Sequence, residues 1–506
     1  MPNPLYDALI GPHSTSDAVF LHLACGSDVS FRAFADMAGR MAAALAAAGL
    51  AKGDRVAVQV EKSAPALAVY AACVQRGLVF LPLNTAYTGA ELTYFMTDSG
   101  ARALICDAAA APALAPVAAQ TPATLMSMAA DGTLDTGAPA PPCPDKVIDC
   151  SPDDLAAILY TSGTTGRSKG AMLTHRNLLS NAQSLCDIWE ITDADRLLHA
   201  LPIFHTHGLF VAINTSLLAG ASVIFLPRLD MDDLIRWLPH ATTMMGVPTF
   251  YTRMLADPRV THDLVAHMRL FISGSAPLLA QTHADFLDRT GHLILERYGM
   301  TETNMITSNP LRGDRVAGSV GLPLPGVEVR ITEPATADTP PTIVADGQTG
   351  MIELRGPNVF AGYWNMPEKT AEELRPDGWF LTGDLGCIDA RGYLHIVGRA
   401  KDLIITGGYN VYPKEIELML DALAEVVESA IVGLPHPDLG EAVVAFVVPQ
   451  PHHPPDEAGL LERISPQLAR FKHPRAVIFV AELPRNVMGK VQKAQLRTDY
   501  AEHFAD

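Results

Sequence analysis

The residues best able to do chemistry lie in one loop, Tyr160-Thr-Ser-Gly-Thr-Thr-Gly-Arg-Ser-Lys-Gly170, after an apolar strand pattern and before the helical stretch 176–187. A loop this rich in Gly, Ser and Thr can wrap backbone N–H groups and hydroxyls around phosphates, and Lys169 adds positive charge. It is not a Walker loop, because position 168 is Ser where GxxxxGK[ST] requires Gly. The same residues include Gly166-Arg-Ser168-Lys-Gly170, a formal GxSxG match. A serine hydrolase with Ser168 as nucleophile is therefore a rival reading from another class. A plain surface turn is the third.

The loop resembles the signature segment of the acyl-adenylate-forming superfamily, which includes acyl-CoA synthetases, peptide-synthetase adenylation domains and luciferases. Ser168 stands where that segment usually has Pro. The resemblance continues in order through Tyr298-Gly-Met-Thr-Glu302, Trp379-Phe-Leu-Thr-Gly-Asp384, Gly398-Arg-Ala-Lys-Asp402 and Pro484-Arg-Asn-Val-Met-Gly-Lys490. Five ordered motifs over residues 160–490 are far more specific than any one of them.

The resemblance implies an ATP site built from Thr161, Ser162, Gly163, Thr164, Thr165, Gly166 and Lys169 of the loop. It adds Gly274, Ser275, Ala276, Glu296, Tyr298, Gly299, Thr301, Asp384, Arg399 and Lys490. Tyr298 offers an aromatic face to adenine, and Thr301 a hydroxyl to the α-phosphate. Asp384 and the forked donors of Arg399 suit a ribose diol. Glu302 supplies a hard oxygen for Mg²⁺. Lys490, Thr301 and His205 are the implied catalytic residues. A lysine is a compact charge that can bind a carboxylate oxygen and the α-phosphate together while both gain negative charge. Taken alone, Thr301 and Glu302 read as a helix cap, Asp384 as a turn residue and Lys490 as a solvated surface lysine.

A two-step reaction is also implied. Acyl-AMP and pyrophosphate form first. A small domain then turns about a hinge at Lys401, withdraws Lys490 and presents Gly407, Gly408 and Tyr409 to the thiol arm of coenzyme A. Arg475 is the candidate partner for a coenzyme A phosphate. Acylation of Lys490 would remove its charge and silence the first step, so a lysine acyltransferase is a candidate partner.

The acid must be read from the pocket. By the same resemblance, segments 202–208 and 273–277 line it, with His205, His207, Ser275, Arg297, Met300 and Met305. Arg297 is the unusual member. A buried unpaired guanidinium beside a fatty or aromatic acid is costly, whereas a second carboxylate would pair it bidentately. Leu295-Glu-Arg-Tyr-Gly-Met-Thr-Glu-Thr-Asn304, with the paired His205 and His207, resembles the malonyl-CoA synthetase branch of the superfamily, which implies malonate as substrate. Methylmalonate is a secondary candidate, since one methyl is worth only ~1–3 kcal/mol of discrimination. The alternatives are an internal ion pair between Arg297 and an acid such as Glu296, a short monocarboxylate substrate, and acyl transfer to a carrier protein.

These residues need elements to hold them. Over 29–106, helical and extended patterns alternate: Phe31, Phe34, Met37, Met41 and Leu45 share one helical face, and Arg55-Val-Ala-Val-Gln-Val alternates. That rhythm predicts a parallel sheet flanked by helices. Residues 107–150 are Ala/Pro-rich and read as a surface connection. The rhythm resumes at 155–160 and runs to 269–273. From about residue 315, short strands and turns predict a small β lobe. The fold class is α/β: a large domain (1–399) of two α/β lobes plus a β lobe, and a smaller mobile α+β domain (400–506).

At ~150 residues per domain, 506 residues leave ample room for such a core. With 37 basic against 55 acidic residues, the formal charge is −18, which disfavours nucleic-acid binding. The seven cysteines include no CxxC pair, so neither a disulfide framework nor a structural zinc site fits. The amino terminus lacks a signal-peptide layout, and no apolar run reaches 18 residues. A cytoplasmic enzyme is the expectation.

Overall fold

The computed structural model describes residues 2–137, 146–161, 168–333, 340–451, 455–486 and 489–504. Among them the strands form four sheets.

The strands expected between 55 and 107 form the core of a seven-stranded sheet. Arg55–Gln59, Val79–Pro82, Ala103–Asp107 and Leu155–Thr161 pair in parallel. Their near-continuous apolar runs are what a sheet covered on both faces requires. A nine-stranded sheet carries the second lobe, with a parallel run Val19–Leu23, Ser222–Phe225, Arg196–His199, Thr243–Gly246, Leu270–Ser273 and Leu295–Met300. Helix Ala64–Arg76 buries every side chain from Ala64 to Gln75. A helix apolar on all sides belongs inside a protein, and one large core cluster packs it together with residues of both sheets.

Two segments differ from the sequence expectation. Within 107–150, helix Ala111–Ala118 and strands Thr124–Met128 and Leu134–Asp135 extend the seven-stranded sheet. Pro and Ala mask their periodicity, and register with Ala103–Asp107 supplies the order. The second difference concerns the Gly/Ser/Thr loop. A strand, Lys169–Thr174, pairs antiparallel with Leu155–Thr161 before helix His175–Trp189 begins. The loop therefore connects two strands and does not lead into a helix.

Glu328–Thr332, Gly350–Arg355, Phe380–Ile388 and Leu394–Arg399 form the four-stranded antiparallel sheet of the β lobe. The fourth sheet begins at Ile404 and packs helices Pro413–Asp421 and Glu457–Ile464 around its own core. The fold is a large α/β domain followed by a small α+β one. No helix among the described residues is long and apolar enough to cross a membrane.

Candidate active site

Strand pairing brings together the residues expected at the ribose. Asp384 stands opposite Arg399 in the β lobe, and Arg399 Nε lies 2.7 Å from Asp384 Oδ1. Tyr298, on the nine-stranded sheet, donates its hydroxyl to Asp384 Oδ2. Burial pushes the Asp384 carboxyl up, while Arg399 and the Tyr298 hydrogen bond pull it down. Both carboxylate oxygens are thus anchored, and each keeps a lone pair for a hydroxyl. The Tyr298 ring flanks this pair, next to the bulge at Gly299 where its strand turns back toward Asn304–Ser308. Thr301 lies half-buried in that turn.

Around Lys169 and Glu302, the residues expected at the phosphates, two residues with no sequence signal set the arrangement. Lys169 Nζ is 3.2 Å from Glu373 Oε1 and 4.1 Å from the centre of the Tyr363 ring. The Tyr363 hydroxyl lies 2.6 Å from Glu373 Oε2 and 2.9 Å from Glu302 Oε1. Glu302 is buried, which pushes its carboxyl up. A nearby cation would stabilise the charged form. Among the described residues no group of three or more ligating side chains that could hold a metal exists, so a Mg²⁺ ion here would be held mainly by phosphate and water, with Glu302 as a protein oxygen donor. Ser162, Gly163, Thr164, Thr165 and Gly166 lie outside the described residues, and Thr161 ends its strand.

Tyr363→Phe tests this arrangement. A hydrogen bond to a charged group is worth about 1.5–3 kcal/mol, so the KM for MgATP should rise roughly tenfold or more while the KM for the acid stays put. Steady-state titration of each substrate checks it. An unchanged MgATP KM would mean that the hydroxyl only packs.

The Ser168 rival loses its geometry. A nucleophile elbow is a strand–turn–helix, whereas Ser168 lies between two antiparallel strands, its carbonyl accepting from Tyr94 Oη at 2.8 Å. No described hydrogen bond links its hydroxyl to a histidine.

The residues expected at the acid, Arg297, His207, Ser275 and His205, lie in one neighbourhood. Arg297 is 3% exposed, and its Nε and Nη2 have no hydrogen-bond partner among the described residues. The backbone at Gly274 lies against the guanidinium: a Cβ there would sit 2.5 Å from Arg297 Cζ. Burial pulls Arg297 down to about 9, which leaves it cationic at neutral pH. Its neighbour Glu296 does not pair with it, because successive residues of a strand point to opposite faces. Glu296 sits 3.6 Å from His283, accepts from the Gly318 N–H, and its carbonyl accepts from Asn309. The structure thus engages Glu296 away from the nucleotide cluster. Ser275, at φ +72°, places Oγ 3.2 Å from His207 Nδ1. His207 Nε2 is buried without a partner among the described residues, and burial with the nearby Arg297 holds the imidazole neutral. Met305 is buried and Met300 and Ala276 are half-buried beside this set.

The small domain closes over the same cleft. A loop tied by an Arg485–Val491 bridge carries Lys490. Arg485 donates to the Gly489 carbonyl at 2.5 Å and ion-pairs with Glu428. Solvent still reaches the Lys490 side chain, yet burial lowers its pKa, reinforced by Arg399 and Arg297 and opposed by Asp384 and Glu302. Lys490 in turn helps burial pull His205 down to about 4. Residues far apart in sequence, 205, 297, 302, 384, 399 and 490, thus share one electrostatic neighbourhood. Lys401 is exposed in the turn Ala400–Asp402, whose Asp402 pairs with Arg497 at 2.9 Å.

The coenzyme A candidates are not brought to this cluster. Gly407 and Gly408 make the turn between Ile404–Thr406 and Tyr409–Val411. Tyr409 is exposed and stacks on Phe471, and Arg475 is exposed with its N–H on the Val443 carbonyl. Among the described residues no hydrogen bond, ion pair or ring contact links them to Lys490 or Asp384.

Comparison with known proteins fits this assembly. The AMP-binding enzyme family matches residues 12–364, and the AMP-binding enzyme C-terminal domain matches 415–490. The structure superposes on ATP-bound MatB from Rhodopseudomonas palustris with a TM-score of 0.95 at 53% identity, covering 100% of both chains. Malonate–CoA ligase from Arabidopsis thaliana is 36% identical over 89% of this chain and 78% of its own length. Sulfoacetate–CoA ligase from Cupriavidus necator is 38% identical (93% and 92%), and feruloyl-CoA synthase from an Amycolatopsis species 36% (98% and 97%). Adenylate-forming CoA ligases use ATP, Mg²⁺ and coenzyme A. Matched over most of its length and closed around the cleft just described, this chain belongs to the AMP-binding enzyme family and is an acyl-CoA ligase that works through an acyl adenylate.

Proposed function

We propose that the acid is malonate, and that the chain converts malonate, ATP and coenzyme A into malonyl-CoA, AMP and pyrophosphate. The carrying observation is Arg297: a buried cation whose Nε and Nη2 are unpartnered among the described residues, beside His207, whose Nε2 is unpartnered among them too. Donors buried without partners cost free energy until an anion meets them. One malonate carboxylate accepts from Arg297 and His207, with Ser275 setting the His207 tautomer. The other carboxylate reaches the α-phosphate near Lys490, His205 and Thr301 and attacks phosphorus in line as pyrophosphate leaves. Mg²⁺ on Glu302 would neutralise phosphate charge when bound. We place the domain boundary at Arg399, with Lys401 as hinge. Rotation there replaces Lys490 by the Gly407–Tyr409 turn, and the thiol of coenzyme A attacks the acyl carbonyl while AMP leaves, Arg475 holding a phosphate of the coenzyme. Methylmalonate is the expected secondary substrate.

Sulfoacetate is a second reading, because a sulfonate answers the same unpartnered donors and a relative carries that activity in its name. Coenzyme A-dependent AMP release is the test, with malonate, methylmalonate, sulfoacetate, acetate and ferulate at equal concentration. Malonate should lead, with acetate and ferulate at least ~30-fold slower, about 2 kcal/mol of lost pairing. Acetate or ferulate matching malonate would overturn the reading.

A further inference from the structure

One half-buried amine beside the segment that carries His205 and His207 has no place in the chemistry above. Lys62 precedes helix Ala64–Arg76 and reaches across from the first lobe to the second. Its Nζ donates to the His199 carbonyl at 3.0 Å and lies 2.7 Å from His199 Nδ1. His199 is fully buried, and its Nε2 lies 2.8 Å from the Gly208 carbonyl. A carbonyl only accepts, so Nε2 carries the proton, and Nδ1 must accept from Lys62. The chain Lys62–His199–Gly208 therefore has one direction throughout.

Its far end is the turn that presents the acid-binding histidines. Gly208 sits where that turn folds most tightly: a Cβ there would lie 2.0 Å from the Pro202 carbonyl. The Leu209 N–H donates to the His205 carbonyl at 3.0 Å, and a buried π-helical stretch, His207–Ile213, follows. Wide π turns recur at functional sites because they re-aim side chains. Lys62 also lines a cavity of about 100 Å³ with Pro202, Ile203 and Phe204. With open space on that side, hydrogen bonds do more than packing to place the amine. Among the described residues no carboxylate pairs with it, and burial holds it well below the usual ammonium range, so the Phe225 ring at 4.5 Å and the His199 atoms are its partners.

We propose that Lys62 is a positioning residue for acid binding: by fixing the His199 tautomer it holds the Pro202–Gly208 turn, and with it His205 and His207, at the distance the acid requires. This rests on the acid-site reading above and extends it to a residue outside the pocket.

The test is Lys62→Met, of similar length but without a donor, with Lys62→Gln beside it, since an amide still donates to Nδ1. In the full-length enzyme, Lys62→Met should raise the KM for malonate tenfold or more, with the KM for ATP within about twofold of wild type. Lys62→Gln should lose at most a third as much. Equal rises in both KM values, an unchanged malonate KM, or equal losses in Met and Gln would overturn the proposal. If Lys62→Met does not fold, the Gln variant decides by the same split: a malonate KM raised about threefold at constant ATP KM supports the proposal, and parallel rises overturn it. Wild type distinguishes the two layers. If it prefers malonate and the variants fail the split, Lys62 alone is wrong. If it prefers another acid, the malonate reading fails, and the same split on that acid's KM still decides for Lys62.

Discussion

Arg297→Ala is expected to lower kcat/KM for malonate by ~30- to 5,000-fold, corresponding to about 2–5 kcal/mol for truncating one partner of a buried charge pair. The reason lies in what surrounds the guanidinium. Its Nε and Nη2 have no partner among the described residues, Glu296 faces the other way, and Gly274 closes over the plane. Binding of a distal carboxylate satisfies donors that otherwise stay bare. The same substitution should leave acetate or propionate activation unchanged or improved, because the emptied site no longer holds an unpaired cation. Arg297→Lys should recover only part of the loss, as an ammonium cannot reproduce the planar fork. Initial rates of AMP release with each acid measure all three. If malonate and propionate fell together, Arg297 would be supporting Tyr298, and the acid would be recognised elsewhere.

Lys490→Ala should reduce the first half-reaction by at least ~100-fold, the scale of losing one preorganised charge at a developing oxyanion. Thioester formation from presynthesised acyl-AMP should survive it. Lys401→Pro should do the opposite, because a fixed φ in the half-buried turn Ala400–Asp402 obstructs rotation. Pyrophosphate exchange and thioester release, measured separately, give the two readouts. Loss of both steps in both variants would point to local unfolding. A pH profile adds a sign. Burial, Arg399 and Arg297 lower the Lys490 pKa below its ordinary 10.5, so its charge is present at low pH and lost on raising pH through that lowered value. The alkaline fall of adenylation should therefore begin below the range of a free lysine, and Lys490→Arg should push it higher.

How much of this was legible in the chain follows from the range over which each signal acts. Strands such as Arg55–Gln59 and helices such as Phe31–Ala47 are written in local periodicity, and the ordered motifs around Lys169, Glu302, Asp384, Arg399 and Lys490 are written in residue type and spacing. Those determined the α/β class, the adenylate chemistry and most of the candidate site. Position 296 beside 297 looked like a ready ion pair in one dimension, and strand alternation separates the two in three. Glu373 and Tyr363 carry no local mark. Glu373 matters because Lys169, 204 positions earlier, meets it. Lys62 and His199, 137 positions apart, meet only where the two lobes pack. Ala/Pro-rich residues 111–128 gain their order from register with a neighbouring strand. Local composition sets which elements form and which groups can react. Tertiary packing alone decides which charges are left without partners, because burial and pairing belong to contacts between distant parts of the chain.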